Sequence, residues 1–114
     1  GPRGSVVAMR EAFERRRKLM VDGLNTIPGV SCRTPEGAFY AFANVSGLIG
    51  KSFAGQPLVN DQQVAEFFLT EAHAATVAGT PFGAPGFVRL SYACSDSDIL
   101  EGLEAIRQAV RQLT

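Results

Sequence analysis

The spacing of apolar residues predicts amphipathic helices at the two ends of the chain. From Val6 to Thr26, apolar residues recur three, four or seven positions apart and form one stripe. They are Val6, Met9, Phe13, Met20, Leu24 and Ile27. The last helix follows Ser95, which suits an N-cap, and its apolar residues keep a four-three-four-three spacing from Ile99 to Leu113. Gly102 inside this helix suggests that a neighbour packs closely there.

A third helix is predicted in the middle of the chain, beginning near Asn60. Asn60 or Asp61 can cap its free amides, and Gln63 stands in capping-box spacing to Asn60. Its predicted buried face consists of Val64, Phe67, Phe68 and Ala72.

The remaining apolar runs are short and predict strands. They are Val30 to Arg33, Ala38 to Val45, Ala75 to Gly79 and Phe87 to Cys94. The run from Ala38 to Val45 is apolar on both faces, so we expect this strand to be covered on both sides. The segment TPEG, Thr34 to Gly37, is typical of a turn, and Gly47 to Leu58 has no sustained period and reads as a loop.

The order of these elements predicts one α/β domain, an α+β layer. Its small mixed sheet of three to four strands is covered by helices. The expected domain spans residues 6–114, and residues 1–5, GPRGS, are expected to be a tag remnant or disordered.

Composition narrows the possible partners. Eleven basic and eleven acidic residues balance, so no net field attracts nucleic acid or an anionic membrane. No apolar run approaches the length of a membrane span. The cysteines Cys32 and Cys94 lie far apart and predict reduced thiols in a cytoplasmic protein. His73 is the single histidine and has no nearby cysteine, so no metal site is expected.

Arg89 is the residue that most needs an explanation. In the predicted strand Phe87 to Cys94 it shares a face with Ser91, and the opposite face is the apolar one that should pack on the helices. A planar fork of donors on a rigid strand suits bidentate binding of a carboxylate. The pattern alone leaves open a structural or simply exposed arginine.

Three segments together resemble the class I/II aminotransferases, and specifically the C-terminal small domain of aspartate-aminotransferase-type enzymes. They are RRRKLMVDGLNTIPGV, PEGAFYAFANVSG and GTPFGAPGFVRLSYACSDSDILEGLEAI, and the resemblance extends from about Met9 to about Ala109. It implies that Arg89 binds the α-carboxylate of the substrate beside a pyridoxal phosphate cofactor. It also implies that Phe39 and Tyr40 lie near the substrate entrance, although core packing explains these two residues equally well.

The same resemblance implies that this chain lacks the residues that bind the cofactor in the family. The family's cofactor lysine, the acid on the pyridine nitrogen and the phosphate-binding residues come from a large domain. The lysines here, Lys18 and Lys51, do not match the family's lysine motif. We therefore expect a fragment without catalytic or cofactor-binding residues of its own, inactive alone. The parent enzyme is expected to be a homodimer that acts on amino acids and 2-oxo acids, with aspartate suggested by overall similarity.

An alternative interpretation is a stand-alone regulatory α+β module. In that case Arg89 would bind an amino acid without chemistry. A long upstream reading frame with a Ser-x-x-Lys-like segment would favour the enzyme, and a nearby start codon would favour the module.

Overall fold

The computed structural model describes residues 2–33 and 40–114, and the side chains from residue 8 onward within them. Three helices are present in these ranges: α1 (Pro2–Asn25), α2 (Asp61–Ala72) and α3 (Asp96–Val110). Six short strands accompany them: β1 (Ser31–Cys32), β2 (Tyr40–Asn44), β3 (Ser52–Phe53), β4 (Gln56–Pro57), β5 (Val77–Ala78) and β6 (Phe87–Ser91). A 3-10 turn, Thr80–Phe82, precedes β6. The expected turn Thr34 to Gly37 and the beginning of the strand predicted from Ala38 lie outside the described residues.

The main sheet has four strands in the order β1-β2-β6-β5. This agrees with the predicted strand number, and the α/β fold class is confirmed. Every pairing among the described strands is antiparallel, where a mixed sheet was expected. For β5 and β6 the physical reason is their short connection, since a compact loop can return the chain antiparallel, whereas a parallel neighbour needs a long crossover.

The helices cover one face of this sheet. Ala41 and Ala43 of β2 and Val88 and Leu90 of β6 point toward them and are buried. The intervening residues of β2 point the other way, and Tyr40 and Phe42 each remain 40% exposed. The expectation that this strand is covered on both sides is therefore not met within the described residues, because no described helix packs over these two side chains.

Local capping defines the starts of α2 and α3. The Asn60 side chain accepts a hydrogen bond from the Gln63 amide at 2.9 Å, and Ser95 does the same for the Asp98 amide at 3.1 Å. The Gln63 side chain accepts from the Val59 amide, one residue before the position that a capping box requires. The predicted caps at Asn60 and Ser95 are confirmed, and so is the buried face of α2.

Helix α1 differs from its prediction at its amino-terminal end. It begins at Pro2 rather than at Val6, the predicted start, and proline is well tolerated in a first helical turn. Met9 was assigned to the buried stripe, but it is exposed, as are Ala8 and Arg10 beside it. Phe13 is half-buried against the core, and the stripe is fully buried from Met20 onward.

Close packing of α1 on α3 occurs at Gly23 rather than at Gly102. A β-carbon added at Gly23 would overlap the Leu103 side chain, whereas one added at Gly102 would meet no atom within 4 Å. The inference drawn from Gly102 was wrong. Sequence alone could not tell which helical glycine faces a neighbour.

A two-stranded hairpin lies in the segment that was predicted to be a loop. Strands β3 and β4 pair within Gly47 to Leu58, and Ala54 between them adopts a left-handed conformation with φ of 50°. The backbone of Ser52 also exchanges hydrogen bonds with Thr114, at 3.2 and 2.9 Å. Strands of two residues carry no alternation that could have predicted this hairpin.

An ion-pair cluster joins α1 to the start of α3. The Asp96 carboxylate accepts hydrogen bonds from Arg15 Nε at 2.8 Å and from Arg16 Nε at 3.0 Å. These bonds lower the pKa of Asp96, and the same pairing raises the pKa of Arg15. In the basic segment from Arg15 to Lys18, Arg15 and Arg16 therefore link α1 to α3.

The lowered pKa of Asp96 predicts a pH dependence of stability. Because the folded-state pKa lies below the unfolded one, the cluster stabilises the fold above the unfolded pKa and this contribution is lost as the pH falls through the folded value. Asp96→Asn is expected to lower the urea midpoint at pH 7, and the difference from the parent should shrink as the pH falls through the lowered folded-state pKa of Asp96. Asp98→Asn, in the same helical turn but outside the cluster, is the control. Equal pH profiles for the two variants would contradict the prediction.

Candidate functional site

Arg89 lies on a central strand and on the outer face of the sheet. Strand β6 is hydrogen-bonded on both sides, and Arg89 is in register with Phe42 of β2 and with Val77 of β5. Its neighbours Val88 and Leu90 are buried toward the helices, which confirms the predicted alternation along this strand. The position of the arginine is thus fixed by two ladders.

Two aromatic rings contact the guanidinium of Arg89. Its Cζ atom lies 4.2 Å from the centroid of the Tyr40 ring and 5.1 Å from that of the Phe82 ring. Tyr40 comes from β2, diagonally across the ladder, and Phe82 comes from the loop between β5 and β6. Both distances are within the range of favourable cation–π attraction. The rings hold the side chain without consuming any of its hydrogen-bond donors.

The Arg89 side chain lacks a hydrogen-bond acceptor in the part of the chain that the structure describes. Its Nε atom is buried and unpaired there, and no described carboxylate forms a salt bridge with the guanidinium. A buried donor left unsatisfied costs about 1–3 kcal/mol.

The surroundings of Arg89 favour a carboxylate ligand. A guanidinium presents parallel N–H groups that match the two oxygens of a carboxylate. Phe42, Val77 and Phe82 surround it with exposed apolar surface, and Ser91 adds an exposed hydroxyl on the same face. Apolar surroundings strengthen such a charge-assisted contact because they reduce competition from water.

A buried aspartate fixes the loop that carries Phe82. Asp61, the first residue of α2, is 2% exposed. Its Oδ2 atom accepts hydrogen bonds from the Thr80 amide at 3.1 Å, from the Thr80 hydroxyl at 2.6 Å and from the Gly86 amide at 3.0 Å. Both ends of the segment Thr80–Gly86, which we call the Phe82 loop, are therefore attached to one carboxylate.

The backbone at the start of this loop leaves no room for a side chain. A β-carbon on Gly79 would overlap the carbonyl oxygen of Ala84 and lie 2.9 Å from that of Phe87. Gly83 and Gly86 adopt positive φ angles of 76° and 84°, which glycine accepts without strain. Gly79, Gly83 and Gly86 thus each have a conformational reason to be glycine.

The structure describes two of the three predicted site residues. Arg89 and Tyr40 lie in contact, whereas Phe39 lies outside the described residues. Phe82 and Asp61 were not recognised as parts of the site. Phe82 carried one usable signal, a large apolar residue in the middle of a glycine- and proline-rich loop. Asp61 carried none, because an acidic residue in the first turn of a helix is ordinary.

Other candidate groups lie away from Arg89. Both cysteines are free, and burial raises the pKa of the thiols of Cys32 and Cys94. Within residues 2–33 and 40–114, no three histidine, cysteine, aspartate or glutamate side chains are grouped as metal ligands would be. Nor does any helix in these ranges combine the length and apolar character needed to cross a membrane.

Comparison with known proteins places this arrangement in a family. The model of the aminotransferase class I and II family matches residues 2–106. An aspartate aminotransferase of Streptomyces avermitilis is 46% identical over 108 residues, which are 95% of this chain and 26% of that protein. The crystal structure of an aspartate aminotransferase from Rhizobium meliloti matches with a TM-score of 0.94 at 42% identity, covering 100% of this chain and 29% of the other.

A third match concerns a liganded structure. The aspartate aminotransferase of Thermus thermophilus with maleate has a TM-score of 0.77 at 36% identity, covering 94% of this chain and 25% of that one. The chain thus spans about a quarter of the length of the relatives it matches. The family match extends over most of the sequence and agrees with the fold, and this chain belongs to the class I and II aminotransferases.

Proposed function

We propose that this chain is the C-terminal small domain of a pyridoxal-phosphate-dependent aminotransferase of the aspartate aminotransferase type. In this proposal the intact enzyme transfers an amino group between an amino acid and a 2-oxo acid, and Arg89 binds the α-carboxylate that both substrates carry. Aspartate is the proposed amino acid, since the relatives described above are aspartate aminotransferases. The expected homodimer, the cytoplasmic location and the large domain as partner belong to the same proposal.

The observation that carries the proposal is the state of the Arg89 guanidinium. It contacts the rings of Tyr40 and Phe82, and its buried Nε has no acceptor among the described residues. A carboxylate from outside the domain would supply both the missing acceptor and the opposite charge. The Thermus thermophilus relative was solved with maleate, a dicarboxylate, which is consistent with a carboxylate ligand in this family.

The two lysines of this chain lie away from Arg89. Lys18 lies in the groove between α1 and α3, on the helical side of the sheet, and Lys51 precedes β3 in an exposed loop. Neither lysine shares the outer face with Arg89. Pyridoxal phosphate supplies the electron sink for amino-group transfer when it is bound. The role proposed for this chain is limited to binding and orienting the substrate carboxylate.

The proposed function is tested on the intact protein that contains this segment. The purified protein, supplied with pyridoxal phosphate, is incubated with ¹⁵N-labelled aspartate and 2-oxoglutarate. Mass spectrometry should then detect ¹⁵N-labelled glutamate, formed catalytically. Label that remains in aspartate with every 2-oxo acid offered, while alanine or another amino acid donates readily, would overturn the choice of aspartate. No transfer from any amino acid would overturn the function itself.

The isolated 114-residue chain is expected to be inactive. It should neither transfer an amino group nor bind pyridoxal phosphate in a one-to-one complex, because its lysines lie away from Arg89. Absorbance titration followed by gel filtration measures this, with weak surface adducts distinguished by their loss on dilution. A saturable complex that survives gel filtration would contradict the prediction. Stoichiometric binding of a free amino acid without transfer, together with an inactive intact protein, would instead support the stand-alone module.

A further inference from the structure

We infer that Asp61 is a positioning residue for the carboxylate site, a step that rests on the function proposed above. Asp61 does not contact Arg89 in the structure. It acts through the Phe82 loop, whose first and last residues, Thr80 and Gly86, both donate hydrogen bonds to its Oδ2 atom. By fixing the position of the loop, the attachment influences the position of Arg89 indirectly.

The loop reaches Arg89 by two routes. Phe82 lies between the two attached ends and places its ring 5.1 Å from the guanidinium carbon. Gly86 is followed directly by β6, the strand that carries Arg89. A single carboxylate therefore fixes both the ring that contacts the guanidinium and the beginning of the arginine's strand. A shift of the loop would move both together.

Capping of α2 does not account for the burial of Asp61. The cap is made by Asn60, whose side chain accepts the Gln63 amide, and Asp61 Oδ2 makes all its hydrogen bonds to the loop. Oδ1 is buried without a partner among the described residues. An unpaired buried oxygen is unfavourable, so the three hydrogen bonds on Oδ2 are what compensates for burying this carboxylate.

The test compares four variants of the intact protein. Asp61→Ala removes the attachment, and Asp61→Asn keeps an oxygen that can accept the same hydrogen bonds. Asn60→Ala is the matched control, since it perturbs the start of the same helix without touching the loop. Arg89→Ala defines the effect of losing the carboxylate site itself. The probe is maleate, and its dissociation constant is measured by titration calorimetry alongside the KM and kcat for aspartate.

We expect Asp61→Ala to raise the maleate dissociation constant and the KM about tenfold or more, since small displacements of a binding group have large effects. The kcat should change much less than KM. Hydrogen exchange of a peptide covering residues 79–88 should accelerate in this variant. Asp61→Asn should restore most of the affinity, and Asn60→Ala should leave both the dissociation constant and the exchange within about twofold of the parent.

Two results would overturn the inference, and a third would overturn the proposed function. If Asp61→Ala loosens the loop but leaves maleate affinity unchanged while Arg89→Ala abolishes it, Asp61 is structural only. If Asn60→Ala weakens maleate binding as strongly as Asp61→Ala, the effect belongs to helix stability. If Arg89→Ala leaves maleate binding unchanged, the carboxylate role of Arg89 fails, whatever the exchange data show for the loop.

A milder variant covers the case in which Asp61→Ala does not fold. Thr80→Val removes only the hydroxyl that donates to Asp61 at 2.6 Å and keeps the shape of the side chain. It should raise the maleate dissociation constant by about threefold, less than full loss of the attachment. An unchanged dissociation constant together with faster exchange of the loop would again overturn the inference.

Discussion

Replacing Arg89 by alanine in the intact enzyme is expected to lower kcat/KM for amino-acid substrates by a factor on the order of 10² or more. The physical reason is that removing one partner of a desolvated charge pair costs about 2–5 kcal/mol. Arg89→Lys should recover only part of the loss, because an ammonium keeps the charge but not the planar pair of donors. Steady-state kinetics of the parent and both variants measure the effect.

The control for this prediction is an arginine of the same chain that has no place in the site. Arg111 follows α3 at the surface, so Arg111→Ala should leave kcat/KM within about threefold of the parent. Cofactor absorbance should be the same in all variants, since Arg89 is not proposed to bind the cofactor. A kcat/KM within about threefold of the parent for Arg89→Ala would show that the arginine is structural. Loss of cofactor or of folded protein would point the same way.

The second large effect is expected on stability, from Phe68→Ala in helix α2. Phe68 is 2% exposed and packs beside Phe67 with ring centroids 6.0 Å apart. Truncating a buried phenylalanine to alanine removes about 3–5 kcal/mol, through lost burial and the cavity that remains. Since small domains are stable by only about 5–15 kcal/mol, this change removes a large share of the total. Urea unfolding of the 114-residue chain, followed by circular dichroism, measures it.

The neighbouring residue provides a matched control. Leu69 lies on the same helix but is 55% exposed, and Leu69→Ala should change the free energy of unfolding by no more than about 0.5 kcal/mol. Equal losses for the two variants would mean that α2 is not packed as described. A loss below about 1 kcal/mol for Phe68→Ala would mean the same.

Features that depend on local signals were predictable from sequence. Helix α3 is the clearest case, because its cap, its apolar spacing and its acidic first turn all lie within a few residues of one another. The orientation of Arg89 followed equally from strand alternation, since Val88 and Leu90 determine which face is buried. The proposed role of Arg89 came from the family resemblance, not from this alternation.

Features that depend on distant parts of the chain were not predictable. Asp61 bonds to residues 19 and 25 positions further on, and no local pattern marks such a contact. Phe82 meets Arg89 only because the loop folds back over β6. The outer side of β2 was expected to be covered because its residues are apolar, but burial depends on a packing partner, and Tyr40 and Phe42 remain 40% exposed among the described residues. Hydrophobic patterns identify faces that can be buried, not what covers them.

The two rings on Arg89 have a consequence for the entropy of binding. A free arginine side chain samples many rotamers, and fixing such a side chain on binding costs about 0.5–1.5 kcal/mol. Between Tyr40 and Phe82, on a strand paired on both sides, this freedom is already restricted in the folded domain. A ligand carboxylate therefore meets donors that need little reorganisation, and more of the interaction energy remains as affinity.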